Sequence, residues 1–223
     1  MRRRLPTPDY ALGILLLILS ALPVYASPTA EEIEKAYNTG QEYWDKGDPV
    51  SAMRPLKIAA DGGHPKAQAL FAVILDAADD DVDAANYYRK SADQGNPDGM
   101  FGLATFMVSG DGDTKIDIAA AKALYLKAAE LDHTSSVSVV IMGLVNGKMG
   151  FNATERNGPS ALKWYTKGAE MGLTVAIEQL SIAHREGKYG LPVNIEEADR
   201  LQAKLYEIMG IDPTKLKKRR QRR

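Results

Sequence analysis

The chain has 223 residues, 45% of them hydrophobic, with 28 basic and 29 acidic side chains and no cysteine. That length and apolar content suffice for a sizeable buried core. The lack of cysteine excludes a disulfide framework, a thiol nucleophile, a thiolate metal site and a lipid-modified N-terminal cysteine.

The first segment, residues 1–26, reads as a secretory signal. "MRRR" is a basic start, "ALGILLLILSAL" (11–22) is an apolar run, and Val24 and Ala26 place small residues before a cleavage point after Ala26. An apolar helix of that length spans about 18 Å, short of a ~30 Å hydrocarbon core, so cleavage is favoured over a retained anchor. The chain is therefore expected to be exported, to the periplasm or beyond the cell.

From Glu34 the sequence repeats itself. "SAMRPLKIAADGGHP" (51–65), "AANYYRKSADQGNP" (84–97), "AKALYLKAAELDHT" (121–134), "ALKWYTKGAEMGLT" (161–174) and "ADRLQAKLYEIMG" (198–210) align. Tyr88, Tyr125 and Tyr165 fall in register, as do Lys90, Lys127 and Lys167, then Ala92, Ala129 and Ala169. The copies close at Gly63, Gly95, Asp132, Gly172 and Gly210, which are 32, 37, 40 and 38 residues apart. Self-similarity at that period means stacked supersecondary units. The units are 34–63, 64–95, 96–132, 133–172 and 173–210, within a domain of residues 27–214.

Each unit reads as helix, loop, helix. In the third, Met100, Leu103, Ala104 and Met107 have helical spacing. Asn96 is placed to cap that helix and Pro97 suits its first position. "SGDGDTK" (109–115) is a loop, and Asp117 can cap the second helix. Asp132 stands where other units have glycine, a position that needs a left-handed cap.

These positions carry a resemblance. Leu103, Gly110, Gly112, Asp117, Lys122, Ala123, Tyr125, Lys127, Ala128 and Ala129 in the third unit resemble the Sel-one-like repeat (SLR) family, relatives of the tetratricopeptide repeats. So do Lys163, Trp164, Tyr165, Lys167 and Ala169 in the fourth, and Ala176, Leu180, Gly187, Gly190 and Ala198 in the fifth. The resemblance spans about Glu34 to Gly210 and implies an all-α, right-handed superhelical solenoid of about five antiparallel two-helix repeats. It also implies a monomeric, non-enzymatic scaffold or regulator that binds another envelope protein through a concave face lined by first helices. Projected onto that face are Tyr37, Gln41, Trp44, Lys66, Phe101, Thr105, Ser138, Glu178 and Arg185.

Other motifs yield little chemistry. Ser160 and Lys163 form a Ser-x-x-Lys, but Ser-Asp-Asn and Lys-Thr-Gly are missing and both residues fit the repeat pattern. Counting a calcium loop from Asp111 puts Lys115 at the fifth position and Ile116 at the sixth, so the pattern fails. Asp79, Asp80, Asp81 and Asp83 read as loop and cap residues. His64, His133 and His184 lack metal-ligand spacing. No catalytic residue, metal or cofactor is expected. The alternatives are a β-lactamase-like enzyme or cell-wall hydrolase, and a secreted effector that acts through its tail. Asn152 begins an Asn-Ala-Thr glycosylation sequon.

The tail is "KLKKRRQRR" (215–223), with Lys215, Lys217, Lys218, Arg219, Arg220, Arg222 and Arg223. It is similar to the arginine-rich RNA-binding segment of lentiviral Tat proteins, and too charged to bury. Such a stretch attracts polyanions. In an exported protein, anionic lipid or acidic polysaccharide suits the compartment better than nucleic acid.

Overall fold

The structure is a computed structural model that describes residues 27–212. The expected signal peptide, 1–26, and the basic tail, 215–223, lie outside the described residues. Within them are eleven helices and no strand. They are α1 (Ala30–Asp45), α2 (Pro49–Asp61), α3 (Pro65–Asp76), α4 (Asp81–Asp93), α5 (Pro97–Ser109), α6 (Ile118–Glu130), α7 (Thr134–Asn146), α8 (Ala153–Asn157), α9 (Pro159–Glu170), α10 (Thr174–Glu186) and α11 (Ile195–Ile208). The chain is an all-α repeat solenoid. Its helix pairs are α1/α2, α3/α4, α5/α6, α7/α9 and α10/α11, each packed together and against its neighbours in the stack. Short α8 is an insertion in the fourth unit, which accounts for the longest repeat spacing.

The local chemistry fixes where helices start. Thr29 and Glu32 form a reciprocal capping box on α1, with Thr29 N donating to Glu32 Oε2 at 2.8 Å and Glu32 N donating to Thr29 Oγ1 at 3.2 Å. Asn96 accepts from the N–H groups of Asp98 and Gly99 at the start of α5, followed by Pro97. Asp117 accepts from Ala120 N at 2.9 Å at the start of α6.

The units also end alike. Gly63, Gly95, Asp132, Gly172 and Gly210 have φ of +92°, +83°, +62°, +79° and +63°. At Gly95 an added Cβ would meet no atom within 4 Å, so the left-handed backbone, and not crowding, selects glycine there.

Two apolar clusters run through the stack, one under α1–α6 and one under α5–α11. Alanines at the helix seams (Ala59, Ala128, Ala129, Ala176) are wholly buried and let helices approach closely. Tyr88, Tyr125 and Tyr165 fill the space between units. Gly102 shows how tight this is: a Cβ there would lie 2.2 Å from the Tyr88 ring. The Tyr88 ring in turn packs edge-on to Phe106 at 5.4 Å.

Candidate partner-binding groove

The first helices of the first three units, α1, α3 and α5, bound a groove of about 350 Å³. Residues three, four and seven apart on a helix share one face. On α1 this brings Tyr37 and Gln41 to the groove. On α3 it brings Lys66, Ala69, Leu70, Val73 and Asp76, and on α5 Asp98, Phe101, Gly102, Thr105 and Phe106. Tyr88 from α4 and His133 at the start of α7 complete the lining.

The two walls are copies of one motif. Glu34, Tyr37 and Gln41 on α1 have the same spacing as Asp98, Phe101 and Thr105 on α5. Each set is backed by a histidine from the next unit. His64 caps α3 by accepting from Ala67 N through Nδ1 at 3.1 Å, and its Nε2 faces Glu34 Oε2 at 3.3 Å. His133 caps α7 by accepting from Ser136 N through Nδ1 at 3.2 Å, and its Nε2 faces Asp98 Oδ1 at 3.2 Å. A nitrogen that accepts an N–H carries no proton, so in both histidines the proton belongs on Nε2, aimed at a carboxylate. The Tyr37 ring stacks on His64 at 4.2 Å. The Phe101 ring meets His133 at 5.1 Å and Tyr125 at 5.6 Å. Both aromatic walls are therefore held from behind.

Polar groups at the walls are tied as well. Tyr37 OH donates to Gln41 Oε1 at 3.1 Å, and Gln41 Nε2 donates to Asp45 Oδ1 at 2.7 Å. Thr105 Oγ1 lies 3.0 Å from Tyr125 OH. Between the walls the floor is apolar: Ala69, Leu70 and Val73.

The groove is electrostatically asymmetric. The hydrogen bond from His133 holds the exposed Asp98 carboxyl below the ordinary range, against partial desolvation by its surroundings. At the other end, burial pushes the Asp76 carboxyl up, reinforced by Asp81, Asp111 and Asp79. Burial also raises the Tyr37 hydroxyl, with further contributions from Glu34, Asp98 and Asp45. Lys66 is the one base in the lining, and it makes no ion pair among the described residues.

Five of the nine residues projected from the sequence meet in this groove: Tyr37, Gln41, Lys66, Phe101 and Thr105. The other four do not. Trp44, projected outward, is half-buried and packs against the first apolar cluster. Ser138 lies in a separate hollow of about 150 Å³ with Met142 and Val175, its hydroxyl donating to Thr134 O at 3.0 Å. Glu178 is exposed on α10. Arg185 donates to Asp199 Oδ1 at 2.7 Å. The histidines were the missed residues. In the sequence they lie far apart and lack metal-ligand spacing, yet both back the same groove. The available signal was His64 occupying the cap position that Asn96 fills one unit later.

The Ser-x-x-Lys pair is also placed. Ser160 is exposed in the first turn of α9, while Lys163 pairs with Glu130 and lies 5.0 Å from the Trp164 ring centre. Lys163 thus joins two units and does not serve Ser160. Among the described residues, no group of three or more His, Asp or Glu is arranged to hold a metal ion.

Comparison with known proteins gives a consistent picture. The Sel1 repeat profile matches residues 78–96, 97–133, 142–173 and 174–198. A solved structure of a protective antigen present in uropathogenic Escherichia coli strains, displaying an SLR fold, is similar at 23% identity with a TM-score of 0.65, over 78% of this chain and 38% of that one. A Sel1 repeat protein from Oxalobacter formigenes is similar at 24% identity with a TM-score of 0.63, over 70% of this chain and 45% of that one. The chain spans less than half the length of these structures, and at such identities the likeness concerns the fold. No curated protein matches.

Proposed function

We propose, from the premise that the chain belongs to the Sel1 repeat family, that it is a non-catalytic scaffold of the cell envelope that binds another envelope protein in the groove across α1, α3 and α5. The observation that carries this reading is the groove itself. Three successive units contribute an apolar floor and two aromatic walls, and its volume of about 350 Å³ suits one or two side chains of an extended segment. Aromatic anchors fixed from behind lose little side-chain entropy on binding, as expected at interface hot spots. The envelope setting follows from the signal-like sequence of residues 1–26.

The test is photo-crosslinking in the producing cell, with the reactive residue at Thr105 in the groove or at exposed Ile58 on α2. One envelope protein captured from Thr105 and not from Ile58 is expected. No capture, or equal capture from both sites, would sink the reading. N-terminal sequencing of the same purified chain should find Ser27 first; an intact Met1 would remove the export step.

A further inference from the structure

The charge of the solenoid is unevenly spread. Residues 27–117 hold 17 acidic side chains against 8 basic ones, whereas residues 118–212 hold 11 against 10. The groove lies wholly in the acidic stretch, apart from His133. Its single lining base, Lys66, stands near Asp98, and the opposite end is closed by Asp76 beside Asp79, Asp81 and Asp111. A cation arriving at that end would relieve the mutual repulsion of these carboxylates.

Shape and chemistry select the same kind of guest. Aromatic faces attract guanidinium and ammonium groups. An apolar floor accommodates the methylene stems of lysine and arginine while their heads reach the rim. The guest is therefore a segment dense in lysine and arginine. The chain itself carries one, with seven bases between Lys215 and Arg223.

Reach decides which copy supplies it. The last described residue, Asp212, follows α11 in the fifth unit, while the middle of the groove is α3 in the second. Three units at about 10 Å each put some 30 Å between them. Residues 213–223 extend at most about 40 Å, and seating half of them leaves about 20 Å of tether. A neighbouring molecule meets no such limit.

We propose that residues 215–223 of one copy dock in the α1–α3–α5 groove of the next, joining copies head to tail. This rests on the groove being a protein-binding site. It also gives the groove a regulator: an envelope partner must displace the tail. Anionic lipid or acidic polysaccharide, by holding the same seven bases, would free the groove.

The experiment uses the purified protein, a variant with all seven tail bases changed to Gln, and a fluorescent peptide of residues 213–223. Sedimentation velocity of the unaltered protein should shift to larger species as concentration rises, and the Gln-tail variant should not. The peptide should bind the Gln-tail variant, more weakly at high salt. Val73 is partly exposed on the groove floor and supplies a test of sign. Val73→Lys should weaken peptide binding about five-fold or more and Val73→Glu should strengthen it, because a charge change worth about 1 kcal/mol moves an affinity that far. Simple disruption of the groove would weaken both.

Equal effects of the two Val73 variants, or no peptide binding, would overturn the proposal. So would peptide binding without concentration-dependent assembly, which would return the tail to its own chain. So would binding only to phosphatidylglycerol vesicles. Capture of an envelope protein from Thr105 with no peptide binding would leave the scaffold reading intact and remove this one alone.

Discussion

The first three repeats and the last two use one two-helix unit but place their bases differently. In the later stretch, bases tie units together. Lys122 of the third unit reaches Glu155 of the fourth at 2.7 Å, and inside the fourth unit Arg156 ties α8 to α7 through the carbonyls of Leu144 and Val145 at 2.9 and 3.1 Å. Lys167 reaches Asp132 at 2.7 Å and the Glu130 carbonyl at 3.2 Å, while Lys204 donates to Ala169 O at 3.1 Å. In the earlier stretch, neutral groups make the comparable links between helices. Gln68 donates to Ala60 O of the preceding unit at 3.1 Å, and within the second unit Ser91 donates to Pro65 O at 2.7 Å and Gln94 to Gln68 at 2.7 Å. Its lysines pair within their own helices, as Lys46 does with Glu42 and Lys57 with Asp61. The acids of the earlier stretch are thus left to face the groove and the loops. The difference teaches that one repeat can be built as a closed, charge-balanced stack or around an open, acidic groove.

Removing the central side chain of each part should break that comparison most sharply. Tyr165 is 1% exposed in the later cluster, so Tyr165→Ala should cost about 3–5 kcal/mol in chemical denaturation. Tyr37→Ala, at a half-buried groove wall, should cost only about 1 kcal/mol yet abolish crosslinking from Thr105. Equal stability losses would erase the distinction between packed stack and open groove.

A smaller effect is expected at the shared unit ends. Gly95→Val puts a β-branched residue at φ +83° in open space and should lower stability by about 1–2 kcal/mol from backbone strain alone. The reverse change, Asp132→Gly, relieves the same strain but loses the exposed contact to Lys167, and should leave the thermal midpoint level or slightly higher. A drop on Asp132→Gly would show that the inter-unit ion pair outweighs backbone strain.

The smallest effect is in the pH response of the acidic groove. Asp76 has a raised folded-state value, so its ionised form destabilises the fold, and that penalty disappears as pH falls through the raised value. Asp98 has a lowered value, so its contribution is present above the ordinary carboxylate range, near pH 4, and is lost as pH falls through the lowered one. Denaturation midpoints should rise slightly on mild acidification from neutral pH, then fall. Asp76→Asn should flatten the rise and Asp98→Asn the late fall. An unchanged profile in both variants would dissociate the groove carboxylates from stability.

Much of the fold was legible in the sequence because its signals are local. Asn96-Pro97 and Asp117 were readable as caps, since capping involves residues two or three apart. Short α8 was not anticipated, although Asn152 and Glu155 form its capping box. In the sequence that segment shows only a glycosylation sequon, because one turn of helix has too little periodicity to register. The groove was half legible. Tyr37, Gln41, Lys66, Phe101 and Thr105 follow from helical register, whereas Trp44 shares that register, seven residues from Tyr37, but lies outside the groove lining and packs against the first apolar cluster.

What the sequence by itself determined is the repeat: its period, its two helices and its five left-handed closing positions. These rest on φ preferences and capping bonds within a few residues. What only the tertiary structure decided is which faces of different units meet. His64 and His133 back the same groove because helix pairs stack at a rotation set by seams such as Ala128–Ala129 and by Tyr88 lying on Gly102. That rotation sums small packing terms over the whole stack, and no short stretch of sequence contains it.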